Sequence, residues 1–213
     1  MIVLLDLDGT VWDSEEGIVR SMVHALESLD RTVPPRAHLV REIGPPLRSM
    51  LANLGVPDPL LDHGVDAYRE RYLTTGVFES ELYPGVVEML DQLAEDGHTL
   101  ATATSKGEVP TRTMLEHFGI TERFAVVGAA TMDGTATTKS AVLARTLSAL
   151  GSPDADGCTM VGDRSYDVHG AAEHGIDCVG ATWGYGGAEE LREAGAAALA
   201  HRPGDVPGLV DRR

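Results

Sequence analysis

The sequence predicts an α/β fold, in which a mostly parallel sheet carries helices on both faces and an all-helical module interrupts the chain. Short apolar runs alternate with longer helical stretches in the later part of the chain, a pattern typical of parallel strands buried on both faces. The first apolar run ends at residue 7 and the next begins at residue 99. That gap is far longer than a β-α-β crossover needs, so an insertion is expected there.

Five apolar runs are predicted to form the strands of this sheet. They are IVLLDL (2–7), TLATAT (99–104), FAVVGA (124–129), TMVGD (159–163) and DCVGAT (177–182). The intervening segments have helical periodicity and predict helices near 86–96, 108–118, 138–149, 166–174 and 187–195. Ligands of open parallel sheets bind outside the carboxyl ends of the strands. The residues that follow these runs are therefore the candidates for a functional site.

The inserted module is predicted to be entirely helical. It contains no convincing strand, and Pro and Gly separate four helical stretches near 15–29, 36–42, 46–54 and 58–74. We therefore expect an α/β core formed by residues 1–14 and 82–213, and a separate helical domain over residues 15–81.

Composition and charge narrow the classes of function. The 213 residues include 17 Lys and Arg against 33 Asp and Glu, which gives a formal net charge of −16. This balance argues against nonspecific nucleic-acid binding, which relies on basic residues that neutralise phosphates. A small anionic substrate needs only a local positive pocket and stays possible. No apolar run is long enough to cross a bilayer.

The cysteines and the first strand predict a cytoplasmic location. Cys158 and Cys178 lie in apolar runs without metal-ligand spacing and are interpreted as buried free thiols, which suit a reducing compartment. The first predicted strand begins at residue 2, so no signal peptide is expected.

The first strand ends in two carboxylates, Asp6 and Asp8, followed by a Gly-Thr turn. Residues two apart in a strand point to the same side, so the two carboxylates are expected to lie together. Like charges that close repel one another unless a cation or a chemical task accounts for them. An ordinary strand end before an Asp-Gly turn is the alternative interpretation.

Polar side chains also follow the other predicted strands. The second strand leads into Thr104, Ser105 and Lys106, a helix after the third begins near Lys139, and the fourth leads into Asp163 and Asp167. Carboxylates are ligands that Mg²⁺ prefers, together with the oxygens of a substrate phosphate. Hydroxyls, helix-start amides and a lysine would hold the phosphate. A carboxylate beside such a phosphate can act as a nucleophile and form an aspartyl-phosphate.

These motifs resemble those of the haloacid dehalogenase superfamily, in particular phosphoglycolate phosphatase-like members with a helical cap. DLDGT (6–10), Thr104 in TATSK, Lys139 in TATTKS and GDRSYD (162–167) stand in the order of that family's four motifs. IGPPL (43–47) and WGYG (183–186) are also similar to that subgroup. The resemblance covers essentially the whole chain and implies a Rossmann-like core with the cap at residues 15–81.

The resemblance implies a role for each matching residue. Asp6 would be the nucleophile and a metal ligand. Asp8 would protonate the leaving alcohol and then activate water, while its backbone carbonyl binds Mg²⁺. Asp163 would complete the metal site, and Asp167 would help through water or by orienting its neighbours.

The resemblance also implies a phosphate-binding group. Thr104, Ser105 and Lys139 would hold the transferring phosphoryl group, and Gly9 would permit the tight turn that brings amides toward it. Only two of the 17 basic residues are lysines, and Lys106 is the alternative to Lys139 in this role. Lys139 is favoured because it fits the family spacing and begins a helix.

Three further residues are candidates for substrate specificity. Trp12 lies close to the first motif, and Arg48 and Arg69 belong to the helical insertion. A structural role is the alternative for each of them, packing for Trp12 and ion pairing or solvation for the two arginines. Arg164, within the fourth motif, is interpreted either as an assisting cation or as the structural partner of nearby acids.

The expected activity is Mg²⁺-dependent hydrolysis of a small phosphorylated metabolite by a monomer or homodimer. Phosphoglycolate is one expected substrate and a nucleoside 5′-monophosphate is the other. A sugar-phosphate phosphomutase is a less favoured alternative. The dehalogenase branch is disfavoured because it lacks an acid where Asp8 stands. A non-enzymatic phospho-acceptor module, like a receiver domain, is disfavoured because such modules have no long helical insertion after the first strand.

Overall fold

The computed structural model describes residues 1–210 and divides the chain into two compact units. The first unit comprises Met1–Asp13 and the residues from Leu82 onwards, and the second comprises Ser14–Glu81. Ser14 therefore belongs to the helical unit, whereas the sequence assigned it to the core.

The first unit is built on a six-stranded sheet in the order β5-β4-β1-β6-β7-β8, and every pairing in it is parallel. A separate two-stranded sheet pairs β2 with β3. The strands are β1 (Ile2–Leu5), β2 (Trp12–Asp13), β3 (Glu81–Leu82), β4 (Thr99–Gly107), β5 (Val126–Ala130), β6 (Cys158–Gly162), β7 (Asp177–Ala181) and β8 (Ala198–Ala200). The predicted parallel α/β class is confirmed.

The strand order reverses at β1. Later strands lie on both sides of it, with β4 and β5 to one side and β6, β7 and β8 to the other. The connections that lead to the strands on either side of β1 therefore run in opposite directions. In folds of this class, a crevice forms where this happens, at the carboxyl ends of the strands. The residues that follow β1 begin with Asp6.

Six α-helices of the described residues 1–210 belong to the first unit. They are α5 (Val86–Glu95), α6 (Glu108–His117), α7 (Lys139–Ala149), α8 (Ser165–Ala172), α9 (Gly187–Ala194) and α10 (Val206–Val210). Apolar side chains of the strands and helices form a buried cluster that includes Leu4, Leu143, Met160, Val168 and Leu191. Burying a side chain of this size contributes about 1.5–3 kcal/mol, so the cluster holds α7, α8 and α9 against the sheet.

Gly128 in β5 lies where the sheet and α7 approach each other closely. A Cβ atom at this position would lie 1.9 Å from Oγ1 of Thr146 and 2.4 Å from the carbonyl oxygen of Thr102. We expect Gly128→Ala to lower the free energy of unfolding by about 1–3 kcal/mol, because the helix or the neighbouring strand must shift. Chemical denaturation measures this, and Gly157→Ala is the control because nothing lies within 4 Å of its Cβ position. Equal stability of the two variants would contradict the expectation.

The second unit is a helical domain. Its helices are α1 (Glu15–Ser28), α2 (Arg36–Arg41), α3 (Leu47–Asn53) and α4 (Leu61–Thr74). The buried face of α1 carries Ile18, Met22 and Leu26 at helical spacing. Over residues 1–210, no helix combines the length and the apolar character needed to span a membrane.

Glu79 forms ion pairs with two arginines of this domain. Its carboxylate lies 2.7 Å from Nη1 of Arg20 and 2.9 Å from Nη2 of Arg71. Burial by itself would raise the pKa of Glu79, but the hydrogen bonds from Arg20 and Arg71 outweigh it and hold that pKa below its usual range.

This lowered pKa predicts that part of the stability of the helical domain is lost in acid. A carboxylate with a depressed folded-state pKa stabilises the fold above its unfolded pKa and loses that contribution as the pH falls. We expect Glu79→Gln to lower the unfolding free energy by about 1 kcal/mol at neutral pH. The difference from wild type should shrink below about pH 4, as followed by denaturation across pH. A difference that is independent of pH would contradict this assignment.

Candidate active site

The carboxyl ends of three neighbouring strands bring the predicted site residues together in the first unit. Asp6 follows β1, Thr104 lies in the last part of β4, and Asp163 follows β6 directly. Asp6 continues the parallel ladder because its N–H donates to the carbonyl of Val161 at 2.9 Å. The side chains of Asp6, Thr104 and Asp163 are all buried.

Lys139, the first residue of α7, lies at the centre of this cluster. Its Nζ atom is 2.8 Å from a carboxylate oxygen of Asp6, 2.8 Å from one of Asp167, and donates to the carbonyl of Ala103 at 2.6 Å. The side chain of Lys139 is only 4% exposed. The Thr138 hydroxyl accepts from the N–H of Ala141 and caps α7, which fixes the start of the helix and with it the lysine.

The pKa values in the cluster reflect burial and charge. Burial raises the pKa of Asp6 to about 6; the Lys139 ammonium opposes this shift and the Asp167 carboxylate adds to it. Burial by itself would lower the pKa of Lys139, but the carboxylates of Asp167 and Asp6 outweigh it and raise that pKa. Lys139 therefore stays charged and neutralises the carboxylates beside it.

Asp163 is completely buried and held from two sides. The Thr10 hydroxyl donates to Oδ1 at 3.2 Å, and the main-chain N–H of Tyr185 donates to Oδ2 at 2.7 Å. Burial, with the nearby Asp167 and Asp6 carboxylates, raises the pKa of Asp163 well above its ordinary value. Sequence reasoning did not identify the two donors, although both lie in segments already singled out, DLDGT and WGYG.

Two glycines allow this close packing around Asp163. Gly9 has φ of +83°, and a Cβ there would lie 2.3 Å from Oδ2 of Asp163. A Cβ at Gly184 would lie 2.2 Å from the carbonyl oxygen of Gly9 and 2.4 Å from Asp163. The N–H of Gly9 donates to the carbonyl of Trp12 at 2.9 Å. The predicted contact of Gly9 with phosphate would therefore have to displace a hydrogen bond that shapes the turn.

The acidic residues fit a divalent cation. Carboxylate oxygens of Asp6, Asp163 and Asp167 lie within 4.8 Å of one another, and such oxygens suit a hard cation. Apart from the Lys139 ammonium, no described group donates to the buried Oδ1 atoms of Asp6 and Asp167. One ammonium against three carboxylates leaves negative charge that a divalent cation would offset. The carboxylate of Asp167 is thus part of this cluster, whereas the sequence predicted that it helps only through water or by orienting its neighbours.

The carboxylate of Asp8 has partners other than those of the acidic cluster. One carboxylate oxygen accepts a hydrogen bond from Nε1 of Trp12 at 2.8 Å, and the other lies 2.9 Å from Nζ of Lys106. Both lysines of the chain therefore belong to the candidate site. Lys139 pairs with Asp6 and Lys106 pairs with Asp8. Trp12 is fully buried, and its proposed role in substrate specificity would have to act through Asp8.

Ser105 and Lys106 form a bulge near the end of β4. The ladder to β5 pairs Thr104 with Ala129 and then Gly107 with Ala130, so two residues of β4 face none on the neighbouring strand. Bulges of this kind re-aim side chains next to active sites. The sequence predicted that the strand ends at residue 104 and did not show this change of direction. Ser105 is partly exposed here.

The remaining predicted residues lie in other settings. Arg48 forms an ion pair with Asp62 on the surface of the helical unit, and Arg69 is half-buried on α4. In the first unit, Nε of Arg164 lies 2.9 Å from the carboxylate of Glu190. Arg164 thus has an acidic structural partner, which agrees with one of its two interpretations from the sequence.

The family of the chain follows from its match to a family model. Residues 3–181 match the model of the haloacid dehalogenase-like hydrolases. The chain belongs to this family. The match covers both units, and it includes every residue of the acidic cluster and both lysines.

Relatives of this chain are named for different activities. A 5′-nucleotidase of Pseudomonas aeruginosa is 38% identical over 94% of the chain and 88% of the relative. The tyrosine-protein kinase PtkA of Mycobacterium tuberculosis is 40% identical over 94% of the chain and 68% of the kinase. A phosphoglycolate phosphatase of Agrobacterium fabrum is 27% identical over 86% and 81%. The family and the relatives named as phosphatase and nucleotidase support a phosphomonoesterase.

Solved structures show the same fold over nearly the whole chain. The crystal structure of a predicted phosphatase from Clostridium acetobutylicum has a TM-score of 0.95 at 33% identity and covers 100% of this chain and 98% of that one. The structure of PtkA from Mycobacterium tuberculosis has a TM-score of 0.84 at 37% identity, with coverage of 98% and 97%.

Proposed function

We propose that this protein is a Mg²⁺-dependent phosphatase that hydrolyses a small phosphorylated metabolite through an aspartyl-phosphate on Asp6. The observation that carries the proposal is the buried group of Asp6, Lys139 and Asp163 at the topological switch point of the sheet, with Asp8 two residues from the nucleophile. A carboxylate beside a fixed ammonium and an acidic cation site is suited to phosphoryl transfer, in which positioning and charge neutralisation do most of the work.

In the first step, a carboxylate oxygen of Asp6 attacks the phosphorus atom of the substrate. The bond between phosphorus and the leaving oxygen breaks, and its electron pair goes to that oxygen, which takes a proton from the carboxyl group of Asp8. The products are an alcohol, an aspartyl-phosphate and the Asp8 carboxylate. Lys139, 2.8 Å from Asp6, neutralises charge on the phosphoryl group as it is transferred.

In the second step, water attacks the phosphorus of the aspartyl-phosphate and gives its proton to Asp8. The bond from phosphorus to Asp6 breaks, inorganic phosphate leaves, and both aspartates return to their starting forms. Asp8 acts first as acid and then as base, as expected for two steps that mirror each other.

Mg²⁺ is the cation proposed for Asp6, Asp163 and Asp167. When bound, it would supply positive charge that stabilises the phosphoryl oxygens during transfer. The protein contributes the fixed orientation of Asp163, which Thr10 and Tyr185 hold by hydrogen bonds.

Two substrate classes are candidates. 2-Phosphoglycolate follows from the motif resemblance and from the relatives named for that activity, which include the Agrobacterium enzyme. A nucleoside 5′-monophosphate is supported by the Pseudomonas 5′-nucleotidase, which has the higher identity to this chain. Both substrates are small phosphomonoesters with an alkoxide leaving group, so both require the proton that Asp8 is proposed to supply.

The test is release of inorganic phosphate with Mg²⁺ from 2-phosphoglycolate, nucleoside 5′-monophosphates and sugar phosphates. We expect turnover of one class, and we expect EDTA to abolish it. The similarity to a tyrosine-protein kinase requires a second arm with labelled ATP. Label that moves to protein tyrosines without net phosphate release would replace the phosphatase proposal by a kinase. Interconversion of sugar phosphates without phosphate release would replace it by a mutase.

A further inference from the structure

Two buried side chains hold the carboxylate of Asp8 from its two oxygens. Nε1 of Trp12 donates to Oδ1 at 2.8 Å, and Nζ of Lys106 lies 2.9 Å from Oδ2. The side chain of Lys106 is 6% exposed and that of Asp8 is 14% exposed. The indole N–H and the ammonium therefore meet the carboxylate largely out of contact with water, where hydrogen bonds constrain geometry strongly.

The position of Trp12 is fixed by the turn that follows β1. Its N–H donates to the carbonyl of Leu7 at 3.1 Å, and its carbonyl accepts from the N–H of Gly9 at 2.9 Å. The indole ring lies with its centroid 5.5 Å from that of Phe118. Main chain and ring packing thus hold the Nε1 donor where the Asp8 carboxylate needs it.

Lys106 reaches the same carboxylate from the neighbouring strand because of the bulge in β4. The register of the ladder between β4 and β5 skips Ser105 and Lys106. The N–H of Lys106 turns back to the hydroxyl of Thr104 at 3.3 Å. The bulge therefore ties the orientation of Asp8 to the strand that carries Thr104.

We propose that Trp12 and Lys106 are positioning residues that hold the Asp8 carboxyl group where the leaving-group oxygen must be protonated. This rests on the phosphatase chemistry proposed for Asp6 and Asp8. One donor reaches each oxygen of the carboxylate, so the two together fix the plane of the carboxyl group. A displacement of about 1 Å of a reacting group can cost about a hundredfold in rate.

Substrates with different leaving groups distinguish this positioning role from a purely structural one. The kcat/KM value reports the steps up to transfer of the phosphoryl group to Asp6. An alkyl phosphate then needs a proton on its leaving oxygen, whereas p-nitrophenyl phosphate releases a stable phenolate that does not. Loss of Asp8 positioning should therefore lower kcat/KM for the alkyl ester only, while damage to the fold or to phosphate binding should lower both values.

The experiment compares these two kinds of substrate in Trp12→Phe. We expect kcat/KM for the best alkyl phosphate of the panel to fall by about tenfold to a hundredfold, a part of the whole contribution of a general acid. The value for p-nitrophenyl phosphate should stay within about twofold of wild type. Trp183→Phe is the matched control, because its indole donates to the carbonyl of Thr10 at 3.0 Å and not to Asp8. Its ratio of the two values should equal that of wild type.

Lys106→Met tests the second donor independently and remains available if Trp12→Phe does not fold. It should change the ratio in the same direction. Equal losses on both substrates in Trp12→Phe, or no loss, would overturn the role of Trp12. The same results in Lys106→Met would overturn that of Lys106. If the wild-type protein hydrolyses neither substrate, or if Asp6→Asn keeps its activity, the phosphatase proposal itself fails.

Discussion

Asp6→Asn is expected to lower the turnover of phosphate esters by at least about a thousandfold, which corresponds to about 4 kcal/mol of lost transition-state stabilisation. The amide of Asn cannot form the aspartyl-phosphate. Asp167 also lies beside Lys139, but it does not have the acid Asp8 two residues away, so it is not expected to replace Asp6. The measurement is steady-state phosphate release with Mg²⁺. In the wild-type protein, acid quenching during turnover should trap a phosphoryl group on Asp6 that hydroxylamine removes, as expected for an acyl phosphate.

The structure predicts that this variant still folds. Lys139 keeps Asp167 and the carbonyl of Ala103 as partners, and the substitution removes a buried carboxylate whose pKa is already raised to about 6. Asp91→Asn is the control for the change of side chain, because Asp91 pairs with Arg123 away from the strand ends of the site. Activity that survives in Asp6→Asn, or a trapped phosphoryl group on another residue, would show that the nucleophile is assigned wrongly.

Lys139→Met is expected to destabilise the metal-free protein by about 3–5 kcal/mol, because it leaves buried charges without their partner. The ammonium lies 2.8 Å from Asp6 and 2.8 Å from Asp167, so its removal affects two carboxylates at once. Chemical denaturation in EDTA measures the loss. Added Mg²⁺ should stabilise Lys139→Met more than wild type, because the cation supplies charge that the variant lacks. Turnover should fall by about a hundredfold or more.

Lys106→Met is the matched control for this stability effect. It removes the only other lysine of the chain, and its partner Asp8 retains the hydrogen bond from Trp12 and is 14% exposed. We expect a smaller loss of stability than for Lys139→Met. Equal losses in the two variants, or a change in Lys139→Met of less than about 0.5 kcal/mol, would show that Lys139 does not neutralise the acidic cluster.

The predicted strands of the sheet came from local pattern and lie close to those of the structure. Runs such as IVLLDL and TMVGD are apolar without alternation, because strands of this sheet are covered on both faces. The shortest strand of the six-stranded sheet and the shortest α-helix of the first unit could not be predicted from a local sequence pattern. β8 has three residues and α10 has five, too few for a period to show, and β8 is defined by its pairing with β7.

Some candidate side chains could not be placed from the sequence because their direction depends on distant partners. Arg48 was a candidate for substrate recognition, and in the structure it pairs with Asp62 from another helix of the same unit. Asp8 was expected beside Asp6 by strand alternation. In the structure β1 ends at Leu5 and Asp8 lies beyond it. Its carboxylate pairs with Trp12 and Lys106, and its charge still helps to raise the pKa of Asp6.

The sequence by itself determined which residues are candidates for the chemistry and which strand ends present them, because each motif is contiguous and each strand is marked by its own apolar run. Only the tertiary structure decided how these residues pair. Lys139 at the start of α7 pairs with Asp6, which follows β1, and with Asp167 in α8. Lys106 pairs with Asp8 through a bulge in β4. Such pairings depend on the register of strands and the packing of a helix against them, and these arise from contacts between segments distant in the chain.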